Sequence, residues 1–114
     1  MTLRKLHKKA WKVFSLWVRK RDKGVCFTCR TKHPIGETNA GHFVHRDCLD
    51  FDERNINCQC VRCNMFLHGN GPKYAEHLIK KYGPEIIKEL NRLGDKVRKF
   101  KQQELLDIIK KYEK

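Results

Sequence analysis

No run of uncharged apolar residues in this chain of 114 residues approaches the ~18 that a membrane-spanning helix requires. The basic N-terminal stretch MTLRKLHKKAWKVFSLWVRKRDKG is interrupted by charges throughout, so it lacks the continuous apolar segment of a secretory signal. The sequence also has no internal repeat and no low-complexity linker. From these absences we expect neither a membrane-spanning nor a secreted protein, but a cytoplasmic protein in a reducing compartment.

Acidic residues are scarce: 13 Asp and Glu stand against 26 Lys and Arg, for a net charge of +13. The excess of positive charge lies at the two ends of the chain. Residues 1–25 carry nine Lys or Arg against one acid, residues 26–70 carry five against five, and residues 71–114 carry twelve against seven. Concentrated positive charge favours a polyanion, with an affinity that falls as salt rises. The pattern predicts two flanks that contact nucleic-acid phosphates, with a merely solvated basic surface as the alternative.

The length fits one domain. A chain of this size has a modest apolar core, and we expect a further element that stabilises the fold. Apolar residues at helical spacing predict a basic amphipathic helix over residues 8–23 and basic C-terminal helices over residues 72–114. The first C-terminal helix runs from Pro72 to about Tyr82, and after the interruption at Gly83-Pro84 the second begins at Pro84 and stops at Gly94. The last runs from about Lys96 to Tyr112, with Val97 and Phe100 on its apolar face. Turn formers dominate much of residues 26–70, where we expect a short β-hairpin around AGHFVHRD and a short helix in VRCNMFL. The predicted fold class is α+β and mostly helical.

Six cysteines in a reducing compartment are more typical of a metal site than of a disulfide framework. Two C-x-x-C pairs, Cys26 with Cys29 and Cys60 with Cys63, supply the four thiolates of a tetrahedral zinc site. Cys58 could replace Cys60, although C-x-x-C is the better chelating spacing. Cys48 and Cys58 are therefore predicted to be free, partly buried thiols.

The interval between Cys29 and Cys60 holds 30 residues, more than the ~15–20 of a simple zinc ribbon. It contains His42 and then Asn55, and the second cysteine pair runs directly into Asn64. This order is typical of a ββα nuclease site. Hydrolysis of a phosphodiester needs a base for the attacking water, and a histidine with a pKa near ~6.5 can accept that proton. It also needs a cation, which a hard divalent ion with oxygen ligands supplies.

The motifs RKRDKGVCFTC, AGHF, FDERNINCQCVRCN, HGN and YAEHLIKKYG resemble the phage NinG family, also called Rap recombinases, within the HNH endonuclease superfamily. The resemblance covers roughly residues 10–93. It implies a zinc-stapled ββα-metal core between flanking helices, and a metal-dependent DNA endonuclease that cuts branched DNA such as Holliday junctions or D-loops. Structural zinc and a catalytic Mg²⁺ or Mn²⁺ are the implied cofactors, and phage recombination proteins are candidate partners.

By position, the resemblance makes His42 the catalytic base, Asn55 the residue that orients the catalytic loop, and Asn64 a ligand of the catalytic metal. Many HNH enzymes place a second metal ligand just before the base, where this sequence has Gly41. Three candidates for that second ligand stay open: His68, Asp47 and Asn70.

Two further functions stay open on the sequence. One is a zinc-stabilised DNA-binding module that does not cut, and the other is a sequence-specific HNH nicking endonuclease. For the branched-DNA endonuclease, symmetric cutting of both strands of a junction favours a homodimer. The apolar face of the last helix could supply the dimer contact or close the monomer's own core. A phage or prophage origin would place the protein in the cytoplasm of the host cell.

Overall fold

The structure is a computed structural model that describes residues 1–113. Within this range the chain forms four α-helices and one antiparallel pair of strands. In chain order these are α1 (Leu3–Arg21), β1 (Thr38–His42), β2 (Ile56–Cys60), α2 (Gly71–Tyr82), α3 (Ile86–Gly94) and α4 (Gln102–Tyr112). A short turn of π-helix, Arg62–Phe66, follows β2. The predicted fold class, α+β and mostly helical, is confirmed. None of the helices in residues 1–113 is long and apolar enough to cross a membrane.

Helix α1 begins earlier than predicted, because Thr2 provides an N-cap. The hydroxyl oxygen of Thr2 accepts a hydrogen bond from the backbone N–H of Lys5 at 3.1 Å, which satisfies one of the donors left free at a helix start. The helix ends just before Gly24, whose φ of +74° lies in the left-handed region. A side chain at this glycine would meet the backbone of His33, since a Cβ there would lie 2.2 Å from its carbonyl oxygen.

Strands β1 and β2 pair from Thr38 opposite Cys60 to His42 opposite Ile56. The predicted hairpin around AGHFVHRD is therefore wrong in its second strand. Residues 43–55 form a loop, and the partner strand overlaps the second cysteine pair. The strand that AGHFVHRD was expected to complete is replaced by this loop, which the side chain of Asn55 holds through hydrogen bonds to the backbone of Val44 and Leu49.

The helices pack on both faces of this hairpin. Ala40 and Ile56 face α1 and join a buried cluster with Phe14 and Tyr112. The opposite face meets α2, where the buried Tyr74 donates its hydroxyl proton to the backbone oxygen of Gly41 at 2.7 Å. Helices α1 and α4 pack along each other and bury a further group of apolar side chains: Leu6, Ala10, Leu105 and Ile109.

Helix α4 begins at Gln102 rather than near residue 96 as predicted. Val97 is 97% exposed and Phe100 packs edge-on against Phe51, with ring centroids 5.2 Å apart. The two residues therefore do not share the helical face that their spacing predicted. The backbone N–H of Lys101 donates to the Glu104 carboxylate at 3.0 Å, which sets the helix start.

Candidate metal cluster and candidate active site

The four predicted zinc ligands lie together. The sulfur atoms of Cys26, Cys29, Cys60 and Cys63 all lie within 4.8 Å of one another. The sulfurs of Cys29 and Cys60 are 3.8 Å apart, which matches the spacing of about 3.8 Å that four thiolates have around zinc at ~2.3 Å. The cluster can therefore hold a structural metal such as zinc. Cys58 is buried outside the cluster and Cys48 is half-buried, as predicted for free thiols.

Backbone hydrogen bonds prepare this cluster for a cation. The N–H groups of Cys29 and Cys63 donate to the sulfurs of Cys26 and Cys60 at 3.5 and 3.4 Å. Burial raises the pKa of Cys26, but the Cys29 N–H and the Thr28 hydroxyl lower it by more, to about 6. Burial and the charge of Cys26 raise the pKa of Cys60 to about 12. The Cys26 thiolate thus forms readily, and a cation beside it would favour a second thiolate at Cys60.

His42 lies at the end of β1 and faces α1. Its Nε2 is 2.8 Å from Oδ1 of Asp50, and its side chain is 23% exposed. The Trp11 ring stacks on the imidazole with centroids 4.8 Å apart and an interplanar angle of 20°. The other carboxylate oxygen of Asp50 is 2.8 Å from Nε2 of His7 on α1. The candidate base is therefore held in orientation yet reachable by water.

Asn55 holds the loop that follows His42. Its buried side chain accepts a hydrogen bond from the Val44 N–H at 2.8 Å and donates to the Val44 carbonyl at 3.0 Å. Its amide also donates to the Leu49 carbonyl at 3.4 Å. These bonds to loop backbone are of the kind that the resemblance implies for this position.

Asn64 lies in the π-helical turn, on the face of β1 opposite the His42 side chain. It donates a hydrogen bond to the side-chain oxygen of Asn39 at 3.1 Å. Its own oxygen lies 3.1 Å from the point where a Cβ on Gly41 would sit. Oε1 of the fully buried Gln59 lies 1.8 Å from the same point and has no hydrogen-bond partner within residues 1–113. Two amide oxygens therefore converge on Gly41.

These two oxygens only partly fit a catalytic divalent cation. Amide oxygens are ligands of the kind that Mg²⁺ accepts, but neither carries a charge. Within the described part of the chain, the four cysteines are the one group of three or more His, Cys, Asp or Glu close enough to hold a metal. Of the other candidates, His68 is exposed with a φ of +51°, and Asn70 donates to the sulfur of Cys63 at 3.7 Å. No ligand set for Mg²⁺ or Mn²⁺ is assembled by these residues.

A groove of about 740 Å³ opens over His42 and Asp50, between α1 and the loop. His45, Asp47 and Trp11 also line it. Five basic side chains contribute to its walls: Arg4, Lys8, Arg46, Arg98 and Lys99. Both basic flanks of the sequence therefore meet at one surface, beside the candidate base, and an anionic backbone fits this groove by charge.

The sequence did not identify Asp50 or His7 as site residues. His7 and Trp11 are four residues apart on α1, a spacing that places two side chains on one helix face, and this signal could have linked them. Asp50 gave no such signal, because its contacts to His7 and His42 depend on how the loop packs against α1.

Fold and site together define a small α+β protein in which a four-thiol cluster fixes a hairpin beside a basic groove. A family model described as "Bacteriophage Lambda NinG protein" matches residues 2–114, and the chain belongs to this phage family. "Protein ninG" of Escherichia phage 933W is 36% identical over 87 residues, which cover 73% of this chain and 43% of that protein. "Protein ninG" of Escherichia phage lambda is 34% identical over 87 residues, 73% of this chain and 42% of that protein.

"Protein ninG" of Salmonella phage P22 is likewise 34% identical over 87 residues, with 73% of this chain and 42% of that protein covered. The chain thus spans less than half the length of these relatives. No solved structure matches it.

Proposed function

We propose that this protein is a metal-dependent endonuclease of the HNH superfamily that cuts branched DNA such as Holliday junctions or D-loops. The observation that carries the proposal is the contact between His42 and Asp50, at 2.8 Å, inside a groove lined by five basic side chains. A histidine oriented by a carboxylate and open to water is suited to general-base catalysis. The four-cysteine cluster holds structural zinc in this proposal.

In this mechanism each group of the chain has a separate role. His42 accepts the proton of the attacking water, and Asn55 keeps the loop beside it in place. The basic side chains of the groove bind phosphates, which positions the substrate without reading its sequence. Shape should therefore decide the substrate more than sequence does. A divalent cation would supply stabilisation of the charge on the phosphate and on the leaving oxygen; Asn64 is the residue proposed to hold it, and the described residues do not by themselves complete its ligand set.

The test is cleavage of a labelled four-way junction beside a matched linear duplex, with Mg²⁺, with Mn²⁺ and with EDTA. His42→Ala should lower the rate by ~10²–10⁴-fold, the usual contribution of a general base, while junction affinity and melting temperature stay near those of the wild type. His77→Ala is the matched control, because His77 lies on α2 against Phe27, away from the groove. A wild type that does not cut with either metal contradicts the proposal.

A second function, a zinc-stabilised DNA-binding module, is favoured by one observation, the incomplete ligand set for a catalytic metal around Gly41. Junction binding without cutting in any lane of the same assay would support it. Cleavage at fixed sites on the linear duplex would instead indicate a sequence-specific nicking enzyme.

We further propose that the enzyme acts as a homodimer on junction DNA, because symmetric cutting of two strands needs two active sites. Sedimentation of a monomer bound to a junction would contradict this arrangement. Phage recombination proteins stay candidate partners of the proposed enzyme in the cytoplasm of the host cell.

A further inference from the structure

One carboxylate joins two histidines from distant parts of the chain. Oδ1 of Asp50 lies 2.8 Å from Nε2 of His42, and Oδ2 lies 2.8 Å from Nε2 of His7. The Asp50 side chain is 14% exposed, so few waters compete for these oxygens. An ionised carboxylate only accepts hydrogen bonds. Each imidazole must therefore donate, and both carry a proton on Nε2.

This pattern determines which nitrogen of His42 is free to react. A neutral imidazole has one N–H and one lone pair. With the proton of His42 held on Nε2 by Asp50, the lone pair is on Nδ1. The stacked Trp11 ring fixes the plane of the imidazole, and an indole face also favours a cation beside it.

We infer that Asp50 is a positioning residue that holds His42 in the Nε2–H tautomer, so that Nδ1 accepts the proton from the attacking water, and that α1 completes the site through His7 and Trp11. This inference rests on the proposed nuclease function. The water proton moves to Nδ1, the water oxygen bonds to phosphorus, and the bond from phosphorus to the leaving sugar oxygen breaks. That oxygen takes a proton from solvent, and His42 returns its own proton to solvent.

Steady-state cleavage of the junction by Asp50→Ala, with Asp107→Ala as control, tests the inference. Asp107 is an exposed carboxylate on α4, where it accepts a hydrogen bond from Gln103, so its loss changes the net charge equally. We expect Asp50→Ala to lower kcat roughly tenfold or more, up to the ~10²–10⁴-fold loss of the base itself, with KM unchanged. The Asp107→Ala control should keep the wild-type kcat.

A second readout follows the tautomer without any need for activity. In ¹⁵N NMR spectra of the full chain, the Nε2 proton of His42 should exchange slowly in the wild type and in Asp107→Ala, and should be lost to solvent exchange in Asp50→Ala. If Asp50→Ala does not fold, Asp50→Asn replaces it. The amide oxygen of Asn can accept from only one of the two histidines while its NH₂ faces the other, so an intermediate loss of kcat is expected.

The outcomes separate this inference from the proposed function. Wild-type cleavage with an unchanged kcat in Asp50→Ala overturns the positioning role and leaves the nuclease standing. A lower melting temperature with unchanged kcat shows that Asp50 only links α1 to the loop. If the wild type does not cleave, the nuclease fails and the catalytic role of Asp50 fails with it. The NMR spectra then still decide whether Asp50 sets the tautomer of His42.

Discussion

Gly41 and Gln59 fit together because Gly41 has no side chain. Gln59 is fully buried, and its NH₂ group donates to the Gly69 carbonyl at 2.9 Å and to the Thr28 hydroxyl at 3.2 Å. Those two acceptors fix the amide so that Oε1 points at Gly41, 1.8 Å from the position of a Cβ. A metal ligand at position 41, as in many HNH enzymes, is therefore excluded unless Gln59 changes as well.

Gly41→Ala should lower the free energy of unfolding by about 1–3 kcal/mol, the usual cost of forcing an extra methyl into a packed interior. Urea denaturation measures the loss. Combining it with Gln59→Ala removes the oxygen that the methyl meets, so the double variant should lose less than the sum of the two single variants. If the losses in unfolding free energy of the two single variants simply add in the double variant, Gln59 is not the group that opposes a methyl at position 41.

Among single site residues, the sequence predicted those whose contacts are with residues close by in the chain. The cysteines could be grouped in advance, because each C-x-x-C pair binds within one turn and a metal then needs both pairs. The contact of Asp50 with His7 joins residues 43 positions apart. It depends on the docking of a loop against a helix, which no short pattern encodes.

Among the elements, the four-cysteine cluster joins the turn after α1 to β2 and the π-helical turn. The backbone N–H of Phe27 donates to the Cys58 carbonyl at 2.7 Å, so the first cysteine pair is also tied to β2 directly. A bound metal would therefore stabilise the β1–β2 hairpin, at the end where Thr38 pairs with Cys60.

Cys60→Ser should largely unfold the protein, because structural zinc contributes up to ~10–16 kcal/mol in small zinc peptides. Circular dichroism during thermal melting measures this effect, and a zinc assay of the purified protein gives the metal content. Cys48→Ser is the matched control, since its half-buried thiol lies outside the cluster. An unchanged melting temperature in Cys60→Ser would refute the metal assignment.

Helices were easier to predict than strands. Their apolar periodicity is local: α2 has Pro72 in its first turn as predicted, and α3 follows Gly83-Pro84, although it begins at Ile86 rather than at Pro84. The second strand was missed although Ile56–Cys60 alternates apolar and polar residues. It is only five residues long, it overlaps the second cysteine pair, and its pairing with β1 spans the loop of residues 43–55.

For the whole molecule, the net charge of +13 is not all available to a ligand. The Arg21 guanidinium donates hydrogen bonds to the Ile56 and Glu53 carbonyls, at 3.1 and 3.0 Å. The Arg19 guanidinium donates to the Ile35 carbonyl at 3.2 Å. These arginines hold α1 against the hairpin region. The lysines and arginines of the groove are the better candidates for phosphate contacts. Arg98 among them is paired with Glu104, but both side chains are well exposed, so a phosphate can compete for it.

Binding to junction DNA should weaken with salt, with a slope of about −4 to −5 in log affinity against log salt if the five basic groove residues each contact one phosphate. Lys8→Ala should reduce the steepness of that slope by about 1. Lys32→Ala, an exposed lysine outside the groove, should leave it unchanged. Equal effects of the two variants in fluorescence anisotropy titrations would contradict a binding site in the groove.

The apolar face of α4 is used within the monomer, because Leu105 and Ile109 pack against Leu6 and Ala10 of α1. The sequence left this face open to either role. A homodimer would therefore have to use another surface, and nothing in the helical pattern alone could have decided this.

The pairing of α1 with α4 also sets an order of assembly during synthesis. All four cysteines have been added once residue 63 is made, whereas α4 ends at Tyr112. At ~5–20 residues per second, the ribosome needs about 2 to 10 s for the interval. During that time the cluster can close around a metal, while Leu6 and Ala10 of α1 still lack their partners on α4, Leu105 and Ile109. We expect the nascent chain to depend on early metal capture, and to be prone to aggregation until α4 emerges.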